Sequence, residues 1–341
     1  MTMPKRFRRF ALLAAVVALA AACGSDGGGA GSDDAQLVIY SGRSEDLVGP
    51  LIERFEEESG ISVEVRYGDT AEMAAQILEE GDNSPADVFF GQDAGALGAL
   101  AKEGRFQPLS EAQLSMVPDT VRDDEGDWVG TSARVRVVTY NNEELTEDDL
   151  PDSILDFVAP EWKGQIGWAP TNASFQAFVT ALRVVEGEEG ARAWLEGIKA
   201  NQPTAYANNV ATVEGVAAGE VLVGFVNHYY LYQFLADDAG YTASNKLYGN
   251  GDVGGLANVA GAGILDTADN PEEASRFIDF LLSEESQTYF AQETFEIPLV
   301  EGIEPAEGVP TLDQIDLGVV DLNRLDDLAG TLALLTELGI L

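Results

Sequence analysis

Two adjacent tyrosines, Tyr229 and Tyr230, stand in the run Asn227-His228-Tyr229-Tyr230, just past the apolar stretch VLVGFV at Val221–Val226. A phenol, with an ordinary pKa of about 10, ionises at neutral pH only when a strong Lewis acid sits on its oxygen. Ferric iron is hard and prefers anionic oxygen, so paired phenolates suit it. The competing reading is aromatic packing with both hydroxyls bonded, and the pair alone leaves both open. His228 is the only histidine, so Ser-His-Asp chemistry would have to run through it. No nucleophile signature lies beside it. Cys23 is the only cysteine, which excludes an intramolecular disulfide and a thiolate metal site.

Other chemistry-bearing patterns are weak or missing. P-loop, HExxH, GxSxG and CxxC patterns are absent. One GxGxxG occurs at Gly249, Gly251 and Gly254, but it runs into a β-like apolar stretch instead of opening a helix, and so reads as a loop. The acidic run Asp123–Asp127 lacks the ligand order of a calcium loop and reads as a solvated turn.

The elements that must position these residues alternate. QLVIYS at Gln36–Ser41 predicts a strand, and Ser44 an N-cap before an apolar stripe, Leu47, Leu51, Ile52 and Phe55, that ends at Gly60. ISVEVRY at Ile61–Tyr67 alternates as a strand, Thr70–Glu80 predicts a helix, and ADVFFG at Ala86–Gly91 a third strand. That alternation is the signature of an α/β sheet with flanking helices. Further strands are expected at Arg134–Tyr140, Val221–Val226 and Val253–Leu265. Helices are expected at Glu188–Lys199 and Pro271–Ser283, with helical spacing again over Leu317–Leu341. Ligands of such sheets sit at the carboxyl ends of strands. Here those ends are Ser41–Arg43, Gln92–Asp93 and Asn227–Tyr230.

Composition bounds the rest. The 341 residues carry 19 Lys+Arg against 59 Asp+Glu, a net charge of −40. Four of the bases fall in the first 22 residues, where no acid lies, so the remainder is more acidic still. Such a surface excludes nucleic-acid binding and disfavours anionic lipid surfaces. The N-terminus pairs a basic segment, PKRFRR, with thirteen apolar or small residues, Phe10–Ala22, too few to span a bilayer. Cys23 and the Gly/Ser/Asp-rich GSDGGGAGSDD follow. This resembles a lipoprotein signal peptide, 1–22, with Cys23 taking the lipid and 23–35 a flexible linker. It differs from the usual signal in placing Ala20, not leucine, three residues before the cysteine. An ordinary secretory signal is the alternative, and on either reading the chain is exported.

Along almost its whole length beyond the linker, the chain resembles the ferric-iron-binding periplasmic proteins of bacterial ABC transporters. The likeness rests on VIYSGR (Val38–Arg43), PADVFF (Pro85–Phe90), TSARVRVVTYN (Thr131–Asn141) and WKGQIGWAPTNASFQ (Trp162–Gln176). It continues through YANN (Tyr206–Asn209), NHYYLY (Asn227–Tyr232) and GAGIL (Gly261–Leu265). The resemblance implies a two-lobed periplasmic-binding-protein fold, each lobe a mixed sheet flanked by helices, with the ligand cleft at the hinge. The expected lobes are 36–133 with 258–305, and 134–257 with 306–341. It further implies Tyr229 and Tyr230 as the Fe³⁺ ligands. Arg134, Asn172, Ala173, Ser174, Asn209 and Asn227 would then hold a companion carbonate or phosphate.

Three positions depart from the family pattern. Ser44 stands where one branch has histidine, and Gln92, followed by Asp93, where it has glutamate. The loop around Asn172 lacks a third tyrosine found in another branch. Anion and water would fill the shell, or Gln92, Asp93 or Tyr40 would substitute. The expected protein is a monomeric, lipid-anchored receptor on the outer face of the cytoplasmic membrane or in the periplasm, passing iron to a permease and catalysing nothing. The alternatives are a receptor for an organic cation, such as thiamine or a polyamine, and more remotely an exported hydrolase using His228.

Overall fold

The computed structural model describes residues 36–341; the expected signal peptide, Cys23 and the expected linker lie outside the described residues. The first half of the chain forms β1 (Gln36–Ser41), α1 (Glu45–Ser59), β2 (Ser62–Tyr67), α2 (Thr70–Glu80), β3 (Val88–Gly91), α3 (Ala94–Lys102), β4 (Phe106–Gln107), α4 (Glu111–Leu114) and β5 (Val129–Tyr140). There follow β6 (Ile166–Trp168), α5 (Ala173–Ala200), β7 (Thr204–Ala205), α6 (Asn209–Ala217), β8 (Val223–Asn227) and α7 (Tyr229–Asp237). The chain closes with β9 (Ser244–Leu247), β10 (Ala257–Leu265), α8 (Pro271–Leu281), α9 (Glu284–Gln292), β11 (Ile297–Pro298) and α10 (Leu328–Glu337). Among the described residues no helix is long and apolar enough to cross a membrane.

One mixed sheet runs in the order β2-β1-β3-β10-β5-β8-β6-β7. β1 lies parallel to β2 and β3, and β6 parallel to β7 and β8, while β10 and β8 both run antiparallel to β5. β5 is the strand on which the architecture turns. It pairs with β10 from Val129 to Val135, with Ala257 opposite Val135, with β8 from Arg136 to Tyr140 and with β9 from Val137 to Tyr140. All twelve of its residues are buried, as expected of a strand that serves two sheet halves and is covered on both faces.

Each half has its own aromatic core. On the β1 side Phe277 stacks edge-on against Phe55 and Phe90 at 5.1 and 6.3 Å. On the β8 side Phe225 meets Phe157 at 5.4 Å and Trp194 at 5.8 Å. Such pairs add about 0.5–1.5 kcal/mol each beyond the area they bury.

The structure departs from the sequence pattern in three places. The helix expected at Glu188–Lys199 is the second part of α5, which starts at Ala173 and breaks at Gly187 (φ 76°, ψ 168°). Its first part is buried all round from Ser174 to Leu182, so it has no polar face to give an amphipathic signal. Of Leu317–Leu341 only α10 is a long helix; the residues before it form turns. α10 packs on α5 and also touches α3.

The third departure concerns Val253–Leu265, whose strand begins only at Ala257; Val253–Gly255 is a single 3₁₀ turn. There the main chain folds back on itself, and a Cβ on Gly255 would lie 2.0 Å from the Tyr248 carbonyl oxygen. The neighbour is backbone and has little room to yield. Gly255→Ala should therefore cost about 1–3 kcal/mol, as overpacking does, and lower the thermal midpoint. An unchanged midpoint would show that the turn gives way freely.

Candidate functional site

Four loops bring polar groups to the middle of β5. The β1–α1 loop supplies Arg43, and β3 hands directly to Gln92 and Asp93. β6 leads to Asn172, the N-cap of α5, whose Oδ1 accepts from the Ser174 amide at 3.0 Å. β8 ends at Asn227, and α7 opens with Tyr229 and Tyr230. β5 itself contributes Arg134 and Arg136, two residues apart and so on one face of the strand.

The two tyrosine rings lie 4.0 Å apart between centroids, tilted by 32°. Tyr229 is 1% exposed and Tyr230 8%. Burial holds the Tyr229 phenol well above its ordinary pKa, assisted by Tyr230 and Glu296 and opposed by Arg43 and Arg134. The Tyr229 phenol is therefore protonated at neutral pH until something stronger than a proton takes its oxygen.

Around this pair sit three sealed guanidinium groups. Arg43 makes a bidentate pair with Glu296 at 3.1 and 2.7 Å, both side chains being buried. Burial alone would weaken its hold on the proton, but the Glu296 carboxylate reverses that and raises its pKa. Glu296 is correspondingly lowered: burial works against its charge, and Arg43 wins. Arg136 is pushed down to about 9, chiefly by burial. Its Nη1 donates to Ser174 Oγ and Asn227 Oδ1 at 3.4 and 3.3 Å, and it lies over the Phe178 ring.

Arg134 differs from the other two. All three of its guanidinium nitrogens are buried, and none has a hydrogen-bond partner. Its charged neighbours are Arg43, Glu296 and Asp93, and burial lowers its pKa. Asp93, raised by burial and held back by Arg134, also caps α3 through the Ala96 amide at 3.1 Å. An unsatisfied buried guanidinium is costly. Such groups call for an explanation, commonly an ion.

The surrounding donors point the same way. Asn227 Nδ2 and Gln92 Nε2 are also buried without partners. Asn209, fully buried, donates to Asn172 Oδ1 and Ser174 Oγ at 3.2 Å each. Ala173 opens α5, whose N-terminal end carries the positive pole of the helix. Three guanidiniums against two carboxylates leave a cationic excess at the centre of a strongly acidic protein. Such a charge balance favours an anion electrostatically.

Of the residues singled out from the sequence, Arg134, Asp93, Asn172, Ser174, Asn209 and Asn227 fall in this group with the tyrosines. Tyr40 does not: its hydroxyl donates to Glu80 at 3.1 Å and accepts from Arg66 on the β2–α2 side. Arg136 and Glu296 were missed, and Arg43 was noted only as part of a loop. The alternation of β5 could have found Arg136, two positions from Arg134. Glu296 had no local signal, since it lies 253 residues from its partner. Among the described residues no group of three or more His, Cys, Asp or Glu side chains could hold a metal ion.

Comparison with known proteins gives the setting. Residues 83–327 match the bacterial extracellular solute-binding protein family. The Fe(3+)-binding periplasmic protein of Serratia marcescens is 34% identical over 318 residues, covering 92% of this chain and 94% of its own. Iron-bound HitA from Pseudomonas aeruginosa superposes with a TM-score of 0.85 at 32% identity, over 89% of this chain and 99% of that one. A Trichodesmium protein (IdiA, FutA) in complex with iron and citrate superposes at 0.75, with 28% identity and the same coverage. The fold is the two-lobed one of these periplasmic binding proteins, and the relatives are transport proteins, not enzymes. This chain thus belongs to the bacterial extracellular solute-binding proteins, among relatives that bind ferric iron.

Proposed function

We propose that this protein captures Fe³⁺ between Tyr229 and Tyr230, with a carbonate or phosphate completing the coordination, and delivers it to the permease of an ABC importer. The observation that carries this reading is the stacked phenol pair beside the unpartnered guanidinium of Arg134. Two phenolates leave ferric iron with net positive charge and open positions. An anion seated on Arg134, the α5 N-terminus and the Asn227 amide would neutralise and fill them. Asp93, a charged neighbour of Arg134, and Gln92, whose buried Nε2 has no partner, are the further candidates for that shell. Tyr40, committed to Glu80 and Arg66, is left out of it.

The lobes are read as 36–133 with 258–305, and 134–257 with 306–341. The change of partners along β5 between Val135 and Arg136 supports that division. Closing of the lobes would then bring Arg43 and Asp93 over the phenols, and opening would release the cargo. Export and attachment through a lipid on Cys23, with the protein acting as a monomer outside the cytoplasmic membrane, complete the proposal. The cationic excess disfavours thiamine or a polyamine as cargo. Hydrolysis through His228 is disfavoured as well, since main-chain groups occupy both ring nitrogens.

The test is a visible spectrum of the signal-free protein after loading with chelated ferric iron and removal of the excess. A stoichiometric phenolate-to-iron charge-transfer band is expected. A colourless protein retaining no iron would sink the reading. The pH dependence has a definite sign. Each coordinated phenol gives up a proton, so binding releases protons and tightens as pH rises. With the anion held fixed, apparent affinity should climb by up to about 100-fold per pH unit when both phenols ionise. Competition with a chelator of known pH behaviour measures it, and a flat profile would contradict phenolate ligation.

A further inference from the structure

His228 occupies the N-cap position of α7 but does no capping; its φ and ψ are −58° and −41°, and its side chain bonds no amide of that helix. The ring turns instead toward β5. Nδ1 accepts from the Val135 amide at 3.2 Å, and Nε2 lies 3.0 Å from the Phe295 carbonyl oxygen. A main-chain amide can only donate and a carbonyl can only accept, so the ring is the neutral Nε2–H tautomer. The main chain of the same residue is equally engaged. Its amide donates to the Val135 carbonyl at 3.0 Å, and its carbonyl accepts from Asn245 Nδ2 at 3.0 Å. The residue is 1% exposed.

The partners matter as much as the count. Val135 is the residue at which β5 passes from the β10 ladder to the β8 ladder, and it lies between Arg134 and Arg136. Phe295 has a left-handed backbone (φ 58°), uncommon for a bulky side chain, and precedes Glu296, the carboxylate that holds Arg43. One imidazole therefore fastens the start of the tyrosine helix to the strand bearing Arg134 and to the segment that aims Arg43.

We propose that His228 is the positioning residue of the phenol pair, setting Tyr229 and Tyr230 against Arg134 and Arg43. It rests on the reading of those tyrosines as the iron ligands. A cavity of about 340 Å³ borders its ring, lined in part by Val135, Tyr232, Asn245 and Leu247. Without the two ring bonds, the first turn of α7 has room to settle into it. Partners that orient metal ligands typically change affinity by about 10–100-fold when lost.

The experiment loads the signal-free wild type, His228→Phe and His228→Gln with ferric nitrilotriacetate. It records the charge-transfer maximum and intensity, the iron retained against a competing chelator, and the thermal midpoint. His228→Phe keeps a ring without nitrogens and should shift or weaken the band and lose iron about 10–100-fold more readily. His228→Gln keeps a donor and an acceptor and should recover part of both. A His228→Phe protein with the wild-type band and retention, changed only in thermal midpoint, overturns the proposal.

Should that variant not fold, the wild type decides by nitrogen NMR of its single histidine, unloaded and loaded with gallium(III). An Nε2–H tautomer with a slowly exchanging proton in both states is expected; a ring freed on loading overturns the proposal. A wild type with no charge-transfer band removes the phenolate reading and this proposal together, whereas an unchanged His228→Phe band removes this proposal alone.

Discussion

Replacing both tyrosines, in Tyr229→Phe/Tyr230→Phe, should leave the protein folded, colourless and unable to retain ferric iron. Both rings remain, so the stacking at 4.0 Å and the buried area are kept; only the oxygens are lost. If partners of metal ligands are worth about 10–100-fold in affinity each, two direct ligands together should be worth at least on the order of 10²–10⁴-fold. The Tyr229 phenol is neutral at neutral pH, its pKa being raised by burial, so the penalty on its phenolate form is not incurred there and stability should hold. Chelator competition and the visible spectrum measure the first effect, thermal unfolding the second. Iron held as firmly as in the wild type would end the phenolate reading.

The second large effect falls on stability. Glu296→Ala strips the partner from a guanidinium with 1% exposed surface. Removing one member of a buried ion pair typically costs about 3–5 kcal/mol, because the remaining charge is uncompensated. The carboxylate also accepts from Thr294 Oγ1 at 3.0 Å, a bond lost at the same time. The double variant Arg43→Met/Glu296→Leu should restore much of the stability, since apolar replacement of a buried pair is often neutral or favourable. It should still hold iron less firmly than the wild type, having lost one of the three cations around the phenols. Denaturant unfolding of the single and double variants distinguishes these outcomes. Equal stability of Glu296→Ala and wild type would show that water reaches Arg43.

Much of this was legible in the residues. β1 and α2 begin and end where a short apolar β-prone run and helical spacing place them; β1 is buried on both faces from Ile39 to Ser41, whereas α2 shows one buried stripe. The first part of α5 was hidden for the opposite reason: a helix sealed on every side shows no stripe. The strand ends read from the sequence are the loops that bring Arg43, Asp93 and the paired tyrosines to the middle of β5. The electrostatics could not be read ahead. Glu296 follows a left-handed Phe295 at the end of a loop, and only folding brings it to Arg43. Arg136 was within reach of strand periodicity. The commitment of the Tyr40 hydroxyl was not, because it depends on α2 lying across β1.

The interior location of the arginines has a kinetic side. Arg43, Arg134 and Arg136 are each 4% exposed or less, so the few cations of a chain with net charge −40 are partly withheld from its surface. The outer field is then more negative than the composition implies, over the roughly 8–10 Å that physiological salt permits. A bare or cationic ferric species is drawn inward by that field. A ferric ion wrapped in an anionic chelate meets repulsion until it is inside the cleft, where the guanidiniums reverse the sign. Added salt should slow the first encounter and speed the second, so ionic strength discriminates between forms of the cargo before any ligand atom is touched.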